Sequence, residues 1–271
     1  MAASSVTAML GRALAAVPKP LRGWVLPLAA LLLWWAAIEG RWTESPLLVS
    51  PLLVAQTAWK QLVEPGEAWA ALGASLRRDL IGLAIGSTSG LLLGTWLGLS
   101  RWAERLVGPS FHTVKQISLF AWLPLISLWF GLGDPAKIAF IALASFFPVV
   151  LNTLDGIRQT PAELVEVARV LRFSRWQLLT RVVLPSAAPA IFTGLHLALI
   201  YAWLATIGSE YLMVSGQGIG NLLIDGRDHF WMDKVLFGVL LIGLVGYALN
   251  LLAARLEGRA LAWRGRSTGL H

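Results

Sequence analysis

The chain has 271 residues, of which 56% are apolar and 14% charged, with a mean hydropathy of +0.67. Ordinary soluble domains carry about 25% charged residues, so this composition is short of the charge needed to face water and predicts a surface that faces lipid. The lack of cysteine excludes disulfide frameworks, thiolate metal sites and cysteine nucleophiles, and the net charge of +7 falls in short segments between uncharged runs, which argues against nucleic acid as a partner.

Stretches free of Asp, Glu, Lys and Arg cover residues 23–38, 80–100, 116–133, 138–154, 182–209 and 235–254. Each is close to the ~20 residues that a membrane helix needs, so six spans are predicted. The first reaches that length by taking in Leu21 and Arg22, whose guanidinium can snorkel. A cleaved signal peptide is the rival reading, since Arg12 and Lys19 precede the run and Ala36 and Ala37 are small. The bulky Trp34, Trp35 and Ile38 favour an uncleaved first span. Twice as many basic residues flank the runs on the N-terminal side, among them Arg101, Arg105, Arg158, Arg169, Arg175 and Arg255, as on the other. That bias predicts a multi-pass membrane protein with both termini in the cytoplasm.

In the second run Gly82, Gly86, Gly90, Gly94 and Gly98 recur every fourth residue. Such a row makes a groove along one helix face into which another backbone can pack closely. The partner helix belongs either to this chain or to a second subunit. Trp24, Trp42, Trp102 and Trp263 fall near predicted interfaces, where indoles anchor.

Candidate chemistry is sparse. His112, His196, His229 and His271 are widely separated, with no metal-ligand spacing. His196 lies inside the fifth run, and with Ser209 and Glu210 at its end it is the candidate for a solute pathway, a hydrogen bond to a neighbouring helix being the alternative. The six runs hold no carboxylate, which counts against a proton or sodium symporter. No lysine follows a glycine, so there is no P-loop, and any ATP must be hydrolysed by another subunit.

The loop at 155–181 carries two helix starts. Thr160-Pro161-Ala162-Glu163 and Ser174-Arg175-Trp176-Gln177 both read as capping boxes, the first with proline at the first helical position. Two short helices are predicted, at 161–171 and 175–183, before Pro185 leads into the fifth span. They form either a basic hairpin lying on anionic lipid or a docking surface.

Glu166-Val167-Ala168, then Arg172, then Val182-Val183-Leu184-Pro185 resembles the EAA motif of the membrane subunits of binding-protein-dependent ABC importers. The spacing fits throughout, while Val167 stands for the first alanine and Arg172 for the usual glycine. Leu123-Pro124-Leu125-Ile126, Phe146-Phe147-Pro148 and Ser215-Gly216-Gln217-Gly218-Ile219-Gly220 are similar to the aliphatic sulfonate, taurine and nitrate permease branch. The resemblance implies an all-α integral membrane protein with the type I importer permease (MetI-like) fold, a single domain over 1–271 with a cytoplasmic coupling loop at 155–185. It implies a homodimer, two cytoplasmic ATP-binding subunits and an extracytoplasmic solute-binding protein, with ATP and Mg bound by the partner ATPase and no cofactor held by this chain. Glu163, Glu166, Ala168, Arg172, Leu184 and Pro185 are the implied coupling residues. The implied solute is an aliphatic sulfonate, with taurine, nitrate or a vitamin precursor as alternatives. A membrane scaffold with a basic docking loop is the reading from a different class.

Overall fold

The structure, a computed structural model, describes residues 22–40, 47–64 and 66–262. Among these, the regular structure is helical throughout. Helix α1 spans Arg22–Glu39 and α2 spans Pro51–Val63, the latter capped by Ser50, whose hydroxyl accepts from the Leu53 amide. Trp42, Trp263, Leu21 and both chain ends lie outside the described residues.

Helix α3, Glu67–Leu99, is the longest uninterrupted α-helix at 33 residues. It begins 13 residues before the second uncharged run, so Arg77, Arg78 and Asp79 belong to the helix rather than to a loop. A new helix, α4 (Arg101–Val114), starts at once, with Ser100 accepting from the Ala103 amide. The predicted third span is not one helix. The chain turns at Lys115, makes a 3-10 turn at Leu119–Trp122, and restarts as α5, Leu123–Phe130, bent by 93° from α4. Pro124 occupies the first turn of α5, where a missing amide hydrogen costs no intrahelical bond. Gly131, at φ 76°, ends α5 in a conformation that L side chains rarely adopt.

Helix α6, Asp134–Arg158, α8, Arg175–Leu212, and α10, Met232–Ala260, match the last three predicted spans. Between them lie two short helices, α7 (Ala162–Val170) and α9 (Ile219–Asp228). Four helices, α3, α6, α8 and α10, are each long and apolar enough to cross a membrane.

The glycine ladder packs against α6 of this same chain. A Cβ on Gly82 would meet Ile141, on Gly90 Val149, on Gly94 Thr153 and on Gly98 Ile157. Partner numbers rise together, so α3 and α6 run parallel. Leu99 and Asp134 therefore lie at opposite ends of the bundle, separated by about 30 Å of α3 between Arg78, which pairs with Asp134, and Leu99. The bent pair α4 and α5 brings the chain back between those ends in two pieces. Helix α8 runs antiparallel to α6, with Gly156 against Ala187 and Ala190 and Gly194 against Pro148 and Asn152. Ile126, Phe140, Ile141, Ala202, Ala205 and Met213 fill the core where α5, α6 and α8 converge.

Candidate functional site

At the end of the bundle where α3 stops, α7 lies across the base of α6 and α8. Glu163 and Glu166 are both exposed on it, and neither has an ion-pair partner among the described residues. Glu166 does not pair with Arg169. Ala168 is only 2% exposed, so its small size is explained by packing within the chain. Glu163 and Glu166 stand on the exposed side of α7 instead. Leu164, Ala168, Phe173, Arg181 and Pro185 line a hollow of about 620 Å³ under the helix, and Leu184 beside it is half-buried.

The two capping boxes part company. Ser174 accepts from the Gln177 amide at 3.2 Å while the Gln177 side chain accepts from the Ser174 amide at 2.8 Å. At the first site Pro161 is the N-cap residue, and the Thr160 hydroxyl is buried with no hydrogen-bond partner among the described residues. Placing Pro161 outside the helix moved the cap position one residue past the threonine, so that box cannot form. The second predicted short helix does not stop before Pro185 either. It continues through a π-turn at Leu179–Val183 into the membrane helix, giving α8 an unbroken 38 residues. Widening the turn there lets the chain pass Pro185, which has no amide hydrogen and would clash with the carbonyl four residues back.

Arg172 stands at φ 55°, the left-handed conformation that glycine adopts freely. Its amide donates to the Arg169 carbonyl at 2.9 Å and the Phe173 amide to the Ala168 carbonyl at 3.0 Å, the paired bonds of a Schellman turn. The turn between the helices thus closes as a glycine would close it, although the residue is arginine. Close by, Glu104 pairs with Arg158 and ties α4 to α6.

The opposite end is built around buried charge. Arg78, Asp79, Lys137 and Glu210 are all nine-tenths or more buried, on three different membrane helices. Arg78 pairs with Glu210 and with Asp134 (2.7 Å), and also donates to the Gln217 carbonyl. Lys137 donates to the Ser215 carbonyl at 2.6 Å. Glu210 accepts from Ser75 at 2.8 Å and from the Gly220 amide at 2.9 Å, and Thr206 donates to Asp79 at 2.9 Å. A Cβ at Gly218 would stand 2.5 Å or less from the Glu210 carboxylate, so the chain there passes closer than any other residue allows. The cluster pins residues 213–220 onto α3 and α6. Glu210 is therefore a structural anchor, and Ser209, buried and bonded to the Thr206 carbonyl, faces the same interior. His196 bonds Asn250 at 2.6 Å and lies 3.6 Å from Glu257, which joins α8 to α10. The three pathway candidates are not brought together. The expectation that the spans hold no carboxylate is also overturned, because Asp79 and Glu210 lie within α3 and α8.

Comparison with known proteins adds what this geometry does not carry. Residues 86–261 match the family described as binding-protein-dependent transport system inner membrane component. The chain belongs to this family. It is an ABC importer permease subunit, all-helical, of the inner membrane. Among its relatives is the "Putative aliphatic sulfonates transport permease protein SsuC" of Escherichia coli, 38% identical over 89% of this chain and 90% of the relative. Its namesake in Bacillus subtilis is 36% identical over 92% and 90%. Other relatives are named as bicarbonate, nitrate and taurine permeases. The crystal structure of an amino acid ABC transporter shares the fold, with a TM-score of 0.57 at 16% identity over 78% of this chain and 96% of that one. Such permeases are transport components rather than enzymes, and ATP hydrolysis in these importers resides in a separate subunit.

Reading the sequence for charge-free runs missed the buried cluster in this ABC permease. Arg78, Asp79, Lys137 and Glu210 each abut or lie just outside a run, so the method cut each helix where its buried charge begins. The signal available was their company: Ser75, Thr206 and Ser209 supply hydroxyls on the helix faces they share.

Proposed function

We propose that two copies of this chain form the membrane core of an importer that moves a small oxyanion, with an alkanesulfonate as first choice and taurine or nitrate next. Each copy is one domain over residues 1–271 with six spans, α1 and the bent pair α4 and α5 included, and both termini in the cytoplasm. Two cytoplasmic ATPase subunits, which bind ATP and Mg, seat on the loops at 155–185, and an extracytoplasmic binding protein delivers the solute to the other side.

The observation that carries this reading is the continuity of α8. Its capped start at Ser174 adjoins α7, with its unpaired glutamates, and its far end reaches Leu212 beside the Arg78 and Glu210 anchor. A helix of 38 residues is about 57 Å long, so a push at the loop is delivered across the whole membrane without a joint. Energy from ATP can then bias a two-state assembly although this chain performs no chemistry. The solute class is supported by relatives named for sulfonate, bicarbonate, nitrate and taurine, all small anions or zwitterions with planar or tetrahedral oxyanion groups.

The test is uptake into proteoliposomes containing the permease, its ATPase and its binding protein. ATP-dependent accumulation of labelled ethanesulfonate, competed by taurine or nitrate if they share the route, is expected. Accumulation of none of the anions named here would refute the solute class, and stable assembly without any ATPase partner would refute the importer reading.

A further inference from the structure

A lysine at mid-bundle has no countercharge among the described residues. Lys115 caps α4 at the break in the third crossing, and it lines a cavity of about 350 Å³ together with Pro148, Leu151 and Asn152 of α6 and Leu197 and Tyr201 of α8. The level of this cavity follows from its walls. The α6 residues named stand within about 10 Å of the midpoint of that 25-residue helix, and Leu197 and Tyr201 within about 5 Å of the midpoint of Leu184–Leu212, at 1.5 Å per residue. Lys115 is thus inside the hydrocarbon layer, whose half-thickness is about 15 Å. Its ammonium has no ion pair or side-chain hydrogen bond among the described residues.

An unpaired cation at that level is expensive to keep and is a mark of function. The four buried charges at the far end of the bundle, Arg78, Asp79, Lys137 and Glu210, each have partners; Lys115 has none among the described residues. Its polar neighbours can each donate. The Tyr201 hydroxyl, half exposed in the cavity wall, has no partner among the described residues, and Asn152 uses one amide hydrogen on the Pro148 carbonyl at 2.8 Å and keeps the second. Three donor groups, one of them charged, suit an anion with several acceptor oxygens and repel a cation.

We infer that Lys115, Asn152 and Tyr201 form the mid-membrane contact for the transported oxyanion, the ammonium neutralising its charge at the point where lipid would exclude it. This rests on the oxyanion-import reading above and assigns residues to it. The break between α4 and α5 then has a purpose: it sets the end of α4, where a helix terminus favours a cation, at mid-membrane instead of at a surface. Tyr201 and Asn152 act as positioning donors beside the charged contact.

The test uses the full transporter in proteoliposomes with labelled ethanesulfonate, taurine, nitrate and bicarbonate in turn. Because the natural chain has no cysteine, Lys115→Cys can be modified cleanly after assembly, against identically treated wild type. Lys115→Met and Lys115→Cys are expected to assemble with the ATPase and to lose about tenfold or more of uptake, one decade being about 1.4 kcal/mol, while Lys115→Arg retains most of it. Treating Lys115→Cys with an aminoethyl thiosulfonate, which restores an ammonium, should recover uptake, and the sulfonatoethyl reagent should not. Normal uptake by Lys115→Met, or equal recovery with both reagents, overturns this inference and leaves the importer reading standing. Failure of every neutral variant to assemble also overturns it, since the charge is then structural. If wild type imports none of the four anions, the solute class itself falls and the inference with it.

Discussion

Adding one methyl group at Gly90 tests the interlock on which the bundle is built. A Cβ there would stand 2.8 Å from the Phe146 carbonyl oxygen and 2.9 Å from the Val149 Cβ, against the 3.4–4 Å of ordinary contact. The Phe146 carbonyl is helix backbone and cannot swing aside, so α3 and α6 must part by roughly half an ångström or more, which loosens the neighbouring contacts of Gly86 and Gly94 as well. Overpacking of this kind costs about 1–3 kcal/mol. At roughly 2–4 °C per kcal/mol for a chain of this size, Gly90→Ala should lower the melting temperature of the purified permease by about 2–12 °C. Gly90→Leu should abolish assembly. Gly73 and Gly243 supply the control, since a Cβ at either meets nothing within 4 Å. Alanine there removes only backbone freedom, so it should leave stability unchanged or raise it by up to about 1 kcal/mol. Thermal unfolding followed by the native tryptophans in detergent measures all three. If Gly90→Ala melts with Gly73→Ala, the close approach of α3 to α6 is refuted.

Three further outcomes are expected. Single cysteines at Gln217 and Ser174, both exposed and at opposite ends of the bundle, should label differently in intact cells: an impermeant thiol reagent modifies Gln217→Cys and spares Ser174→Cys, and the reverse pattern would invert the orientation. Arg172→Gly should stabilise the loop by about 1 kcal/mol, because the left-handed backbone costs an L residue about that much, whereas Arg172→Val should destabilise it; equal melting temperatures for the three would mean the turn relaxes. Glu166→Lys should reduce ATPase co-purification and uptake together without altering melting, since the side chain is exposed and unpaired, and unchanged uptake would remove α7 from the coupling surface.

How far the sequence carried depended on whether the physics was local. The ladder from Gly82 to Gly98 was legible because a period of four on a helix has one meaning, a close-packed ridge, but whether its partner lay in this chain needed coordinates. Ser174 and Gln177 formed their box because both ends of a cap sit within four residues. Thr160 did not, because Pro161 left the helix and took the cap position. The glycine-like turn at Arg172 was hidden by the residue itself: nothing in an arginine announces a positive φ. Arg78, Lys137 and Glu210 come from positions more than 50 residues apart, and a salt bridge across that distance leaves no mark on hydropathy. The break between α4 and α5 was hidden for a related reason, since an 18-residue uncharged run says how much lipid can be faced but not whether Lys115 to Leu119 continues a helix.

The placement of buried charge also limits where this subunit can flex. Removing one partner from an enclosed ion pair costs about 3–5 kcal/mol, so any motion that separated Arg78 from Glu210 would meet a cost of that order unless water entered. Helices α3 and α8 are therefore fixed to each other at that end. Along its length α3 is fixed to α6 by five glycines, four of which lie against α6 carbonyl oxygens and the fifth, Gly98, against the Ile157 side chain. Together α3, α6 and α8 make one rigid body, with residues 213–220 attached by the same charges. Helix α10 is held differently: its buried residues Phe237, Gly238 and Leu241 lie near one end, and further along half-buried polar contacts join it to α8, His196 to Asn250 and Glu257 and the Trp203 indole to the Ile242 carbonyl. The remaining freedom lies at the break after α4, where Lys115 faces the cavity between α6 and α8. A change of access that keeps the rigid body intact has to act there, which puts Lys115, unpaired among the described residues, beside the joint that can move.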